Sequence, residues 1–311
     1  MAPGSAAGAA TAGGATVPAP ASLWRAWVLA ARIPTLPAAV APVLVGSGAA
    51  AAEGGFALPA ALGALVVALA IQVGTNLHND AADFLRGADT PTRQGPPRVT
   101  QAGWLPARTV LAGAYTSFGV AGLVGLAFVW RWGWPVLVAG ALSILAGVAY
   151  TAGPWPLGYH GLGEVFVFLF FGVVAVTGTA FVQLGRISPV ALAAAVPVGL
   201  LCAAILVANN LRDAATDAAA GKRTLAVRLG TAPTRVLYQV LLLAAVAAPL
   251  ALRQAGLAGR WFWLPWLALP EFLTLGHLVW RRRDAPALVA VLKRTARLHL
   301  VYGALLGASL P

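Results

Sequence analysis

Two spaced aspartate pairs are the residues of this chain best suited to chemistry. Asp80 and Asp83 stand in Asn76-Leu77-His78-Asn79-Asp80-Ala81-Ala82-Asp83, and Asp213 and Asp217 in Asn209-Asn210-Leu211-Arg212-Asp213-Ala214-Ala215-Thr216-Asp217. They make up four of only nine Asp and Glu residues in 311, and each pair closes a long apolar run. A carboxylate near a bilayer is costly, so its retention points to function. Spacings of i,i+3 and i,i+4 put both carboxylates of a pair on one helical face. Hard oxygen donors of this kind suit Mg²⁺, and Mg²⁺ in turn suits a phosphate-bearing substrate. One or two ions held between facing pairs would bridge the oxygens of a diphosphate and neutralise the charge that grows as its C–O bond breaks. The carbon side of that bond becomes an allylic cation, which an apolar cavity shields from water. Chemistry and location together suggest prenyl transfer onto a lipophilic acceptor.

The neighbours of the pairs extend the candidate site. Asn76, Asn79, Asn209 and Asn210 add amide oxygens, with helix–helix hydrogen bonding as the plainer alternative. Arg86, Lys222 and Arg223 can reach phosphate oxygens through charge-assisted hydrogen bonds. Asp89 lies in the loop after the first pair, and Glu164 opens an apolar run; both are candidates for substrate contact. His78, His160, His277 and His299 show no metal-ligand spacing, and His78 reads as a packing or orienting residue. The single cysteine, Cys202, rules out an intrachain disulfide and reads as a buried thiol.

The elements that position these residues follow from composition. The chain is 59% hydrophobic and 10% charged, which excludes an ordinary soluble domain. The sequence predicts an all-α polytopic membrane protein with about nine transmembrane helices. They run roughly over 24–50, 56–80, 108–130, 134–151, 163–184, 190–211, 234–252, 261–280 and 296–310. Pro34, Pro37 and Pro42 interrupt the first. The two motifs form a weak internal repeat, so two four-helix halves plus one helix are expected around a shared central cavity. Residues 1–22, rich in Ala, Gly and Pro, read as a disordered tail before a single transmembrane domain over 23–311. The net charge of +12 does not mark a nucleic-acid binder, because the basic residues sort by loop. Alternate connections carry 17 and 4 of the 21 Lys and Arg residues. That split puts the N-terminus and both Asp-motif loops in the cytoplasm, in a multi-pass protein of the cell membrane.

The motifs resemble those of the UbiA superfamily of intramembrane aromatic prenyltransferases. Asn79-Asp80-x-x-Asp83 is similar to its first Asp-rich motif and Asp213-x-x-x-Asp217 to its second. Four stretches resemble the naphthoate-accepting subgroup in particular. They are 32–38, then 79–83 continued by Gly87-Ala88-Asp89-Thr90, then 150–159 running into Gly163-Glu164-Val165-Phe166, and 209–217 continued by Gly221-Lys222-Arg223-Thr224-Leu225-Ala226. The resemblance implies nine helices around a cavity that opens sideways into the lipid bilayer. It implies Mg²⁺ held by the Asp motifs through a polyprenyl diphosphate. It also implies that the prenyl group replaces the carboxylate of 1,4-dihydroxy-2-naphthoate, with loss of CO₂ and diphosphate, giving demethylmenaquinone. Many superfamily members place a Lys four residues after a Tyr in the loop between the fourth and fifth helices. Here Tyr150 is followed at that spacing by Pro154, and the loop has no Lys or Arg. Tyr150 remains a substrate-binding candidate, and Arg32 is a candidate for the missing phosphate contact. The rival readings are another aromatic acceptor, such as 4-hydroxybenzoate or homogentisate, and a membrane transporter, which would place its acids within the spans.

Overall fold

The computed structural model describes residue 20 and residues 22–88, 95–282 and 284–310, and among these every regular element is helical. Ser22 caps α1 (Leu23–Ala31) by accepting the Arg25 backbone N–H. The helix stops at Arg32, whose backbone turns left-handed at φ 53°, and a tight turn over Ile33–Thr35 leads into α2 (Pro37–Ala52). The two pieces are bent by 51°. The interruption expected from the prolines therefore falls at Pro34 and Pro37, whose rings lock φ and remove two donors, whereas Pro42 is accommodated inside α2.

The chain continues as α3 (Leu58–Leu85), α4 (Ala107–Trp132), α5 (Trp134–Ala149), α6 (Gly163–Leu184) and α7 (Pro189–Ala219). A short α8 (Leu225–Leu229) precedes α9 (Thr231–Gln254), α10 (Leu269–Arg281) and α11 (Ala285–Ser309). Helices α3, α4, α6, α7 and α9 are long and apolar enough to cross a membrane, and the bent α1–α2 pair passes the same test when taken as one span. The other three expected spans also fall on helices, with differences. Helix α5 is apolar but has 16 residues, α10 has 13, and α11 begins well before the expected 296 and carries Lys293, Arg294 and Arg297. The protein is a multi-pass, all-helical membrane protein.

Helix α7 is the axis of the bundle. Its most apolar stretch is 61% buried, against 22% for α3, α4 and α6, so it packs protein on most sides where they face lipid. Lipid tails are as apolar as leucine, so helices in a membrane associate through close backbone approach at small residues. A Cβ on Gly48 of α2 would overlap the Gly307 carbonyl of α11. Within α6, the π-helical stretch Phe168–Val174 brings Gly172 against α7, where a Cβ would lie 2.6 Å from Gly199 Cα.

The two motif helices are the longest of the bundle. At 1.5 Å per residue, α3 and α7 are about 42 and 46 Å long against a hydrocarbon core of about 30 Å. That length leaves room for their C-terminal turns, which carry the aspartate motifs, to lie beyond the apolar stretch.

Backbone contact at the α2–α11 crossing predicts that Gly48→Val costs about 1–3 kcal/mol of overpacking strain. The thermal midpoint in detergent should fall, while Gly119→Ala, with no neighbour within 4 Å of its Cβ position, should leave it unchanged.

Candidate active site

The two motif helices end in the same way. After α3, the N–H groups of Gly87 and Ala88 close on the carbonyls of Phe84 and Asp83, both at 2.9 Å. After α7, those of Gly221 and Lys222 close on Ala218 and Asp217 at 3.1 and 2.8 Å. Gly87 and Gly221 take the left-handed backbone this turn requires, at φ 69° and 73°. In each motif the glycine follows the second aspartate by four residues, so the internal repeat extends into the caps.

Both motifs line a single cavity of about 970 Å³. Asp83, Asp213 and Asp217 face it, as do Asn76, Asn79, Asn209 and Asn210. Arg32, Tyr150 and Lys222 face it too. Away from this polar end its wall is apolar, with Leu126, Val129, Ile144, Phe166 and Phe170 from α4, α5 and α6. Lys222, which follows the second motif, lies 3.4 Å from Asp83 Oδ1 of the first, so one ion pair bridges the two motif helices.

Asp83 has several partners. Its Oδ1 also accepts the Tyr159 hydroxyl at 2.7 Å, and its Oδ2 is 3.3 Å from the Arg98 guanidinium. Asp213 is gripped by its neighbour Arg212, with Nε at 2.7 Å from Oδ1 and a second, shorter bond to Oδ2. The same guanidinium donates to Asn209 Oδ1 at 2.9 Å. Thr151 donates to Asn79 Oδ1 at 2.8 Å, and Asn76 donates to the Ala31 carbonyl and the Thr35 hydroxyl. Tyr150 stands just beyond α5. Burial, then the nearby carboxylates of Glu164, Asp83 and Asp217, push its phenol above the ordinary value, so it meets the cavity as a neutral O–H donor.

Other candidates lie outside the cavity wall. Asp80 is buried, and its Oδ1 accepts the backbone N–H of Thr100 at 3.0 Å, which anchors the loop before α4. Arg86 donates to the Gly153 carbonyl and lies 6.0 Å above the Tyr159 ring. Arg223 holds the 150–162 loop through its backbone N–H, 2.9 Å from the Tyr159 carbonyl. Glu164 is buried behind the wall and accepts from Asn210 at 2.9 Å. Asp89 lies outside the described residues. His78 packs edge-on to Tyr115, in keeping with a packing role.

Sequence reasoning missed Arg98, Tyr159, Arg212 and Thr151. Nothing in the sequence sets Arg98 apart from the other basic residues of its loop; its burial against Asp83 is tertiary. Tyr159 had a signal, being an aromatic hydroxyl in a loop without cations. That loop brings Tyr150 and Tyr159 to the motifs in place of a basic side chain.

The donor set fits a hard divalent cation. It consists of carboxylate and amide oxygens, and Mg²⁺ characteristically takes one or two carboxylates and completes its shell with phosphate oxygens and water. Among the described residues no three His, Cys, Asp or Glu side chains cluster closely enough to hold an ion alone. Arg98, Lys222 and Arg212 supply the positive charge at Asp83 and Asp213 instead.

Residues 39–301 match the UbiA prenyltransferase family. The chain is 46% identical over 248 residues to 1,4-dihydroxy-2-naphthoate octaprenyltransferase of Mycobacterium tuberculosis, covering 74% of this chain and 85% of that one. It is 35% identical to the protein of the same name from Escherichia coli, covering 88% and 91%. Among solved structures, a UbiA homolog from Aeropyrum pernix superposes with TM-score 0.69 at 17% identity, over 88% of this chain and 97% of that one. A UbiA homolog from Archaeoglobus fulgidus, bound to GPP and Mg²⁺, superposes with TM-score 0.65 at 16% identity, over 90% and 99%.

The Asp80–Thr100 bond predicts a split between two substitutions. Asp80→Asn keeps an oxygen that can accept the Thr100 N–H, whereas Asp80→Ala removes it. Hydrogen exchange at Thr100 should accelerate in Asp80→Ala and stay near wild type in Asp80→Asn; equal exchange in all three proteins would show that this bond does not hold the loop.

Proposed function

Because this chain belongs to the UbiA prenyltransferase family, we propose that it transfers a polyprenyl group from a polyprenyl diphosphate to 1,4-dihydroxy-2-naphthoate. The observation that carries this reading is the meeting of both aspartate motifs in one cavity whose far wall is apolar. The names of the relatives from M. tuberculosis and E. coli support the choice of acceptor.

The donor's C–O bond breaks heterolytically, and diphosphate leaves with the electron pair. The ring carbon that bears the carboxylate attacks the allylic cation and forms the new C–C bond. CO₂ departs, its bonding pair returns to the ring, and the product is demethylmenaquinol, the reduced form of demethylmenaquinone. Asp83, Asp213 and Asp217, with Asn79, Asn209 and Asn210, are the residues that would hold Mg²⁺ against the diphosphate. Once bound there, the cation neutralises the charge of the leaving group. Lys222 and Arg98, paired with Asp83 in this structure, turn towards phosphate oxygens when the donor enters, and Arg32 supplies the contact for which the 150–162 loop has no cation. Tyr150 donates its hydroxyl at the polar end. The apolar wall holds the prenyl chain and keeps water from the cation. Asp80 serves the site by anchoring the loop that carries Arg98. The protein sits in the cell membrane with both motif loops in the cytoplasm, a reading supported by the 17-to-4 division of basic residues.

The test uses detergent-purified protein with Mg²⁺ and geranylgeranyl diphosphate, offered dihydroxynaphthoate and 4-hydroxybenzoate in parallel. Mass spectrometry should find a prenylated naphthoquinol lacking the carboxylate. A prenylated hydroxybenzoate would move the acceptor, and folded protein that releases no diphosphate with any acceptor would overturn the reading. EDTA should abolish turnover, Mg²⁺ restore it, and Ca²⁺ restore it poorly, since its larger and looser shell fits the site less well. Asp83→Asn and Asp213→Asn should each lower kcat by roughly 100-fold or more, as expected where charge on a leaving group goes uncompensated. Arg32→Ala should raise the donor KM by about tenfold, the loss of one charge-assisted hydrogen bond; an unchanged donor KM would remove Arg32 from the phosphate site.

A further inference from the structure

Glu164 is an acid that the reaction as drawn does not use. It lies in the first turn of α6, 8% exposed, against α7. Its Oε1 accepts a hydrogen bond from Asn210 Nδ2 at 2.9 Å, and its Oε2 is buried with no partner. A buried acid kept for stability would have both oxygens satisfied and a cation beside it, because burying a charge is expensive otherwise. Among the described residues, Glu164 has the Asn210 amide and its own backbone N–H, and no cation. An acid held this sparingly inside a membrane bundle is retained for what it does to its partner.

That effect is directional. The Asn210 amide turns its NH₂ towards Glu164. The carbonyl end, Oδ1, is left for the opposite side. Asn210 is 5% exposed and lines the cavity one helical turn before Asp213. An asparagine without such an anchor can present either end, and the NH₂ end would repel a cation. We propose that Glu164 is a positioning residue: by fixing the Asn210 amide it presents Oδ1 as a hard oxygen donor beside Asp213, and so sets the affinity of the site for the divalent cation. The inference rests on the function proposed above. It has the same logic as the outer partners that orient metal ligands, whose removal lowers metal affinity by about 10- to 100-fold.

The experiment is a thermal-shift titration of the full chain in detergent, with Mg²⁺ added at a saturating level of a non-reacting geranyl thiodiphosphate. The quantity read is the Mg²⁺ concentration that gives half of the maximal protection. Glu164→Met removes the anchor without leaving a buried charge, which favours folding, and should raise that concentration by about 10- to 100-fold. Glu164→Gln can still accept from Asn210 Nδ2 through its own carbonyl and should stay much closer to wild type. In an Asn210→Ala background, Glu164→Met should add nothing, because the two act as a unit. Glu164→Met within twofold of wild type would overturn the inference. So would effects of the two substitutions that multiply in the double variant, since Glu164 would then act independently of Asn210. If wild-type protein gains no Mg²⁺-dependent protection at all, the diphosphate site itself fails and the inference falls with it. If wild type is protected and Glu164→Met is protected equally, the inference alone fails.

Discussion

A carboxylate buried at the edge of a bilayer must receive its countercharge from the protein, and the arrangement around Asp83 answers that requirement. Water cannot solvate the group, which is 2% exposed. Three elements distant in sequence converge on it: Arg98 from the loop before α4, Tyr159 from the loop after α5, and Lys222 from the turn after α7. These contacts join the two motif helices at their C-terminal ends. Elsewhere the helices meet mainly through glycine contacts and apolar side chains, with the Glu53–Arg186 ion pair joining the turn after α2 to the one after α6. The polar end of the cavity therefore depends on one buried acid having its partners, and the contacts of Arg86 and Arg223 with the 150–162 loop brace the same network from behind.

The sequence made the framework legible because membrane burial penalises charge so strongly. With nine acids in the chain, the four in the motifs stood out, and their helical spacing already placed each pair on one face. The amides beside them and Lys222 were marked by adjacency, and the structure brings all of these except Asp80 to one cavity. What the sequence could not mark were contacts made across folded loops. Arg98 looked like any arginine flanking a membrane span. Asp80 looked equivalent to Asp83, yet the turn of α3 points it at Thr100, because i and i+3 differ by about 60° around a helix. The count of crossings was similarly limited. Length and hydropathy identify long spans well, but α5 and α10 are short, and α11 mixes apolar and basic residues, so composition alone does not distinguish a crossing from a packed helix.

The charges of the site also explain how it can exist before substrate arrives. Three carboxylates facing one cavity would repel one another in a low-dielectric setting. Asp83 and Asp213 avoid this through pairs with Arg98, Lys222 and Arg212, all close enough for direct hydrogen bonds. These partners are the groups that a diphosphate would attract. A magnesium diphosphate bound there would meet an existing set of ion pairs and would not have to neutralise bare charges. The carboxylates would hold the divalent cation, leaving Arg98, Lys222 and Arg212 to hold the phosphate oxygens. This arrangement also explains why the loop after α5 can dispense with a basic residue: cations already stand at the acids, and the loop contributes the Tyr159 hydroxyl that holds Asp83 and the Thr151 hydroxyl that holds Asn79.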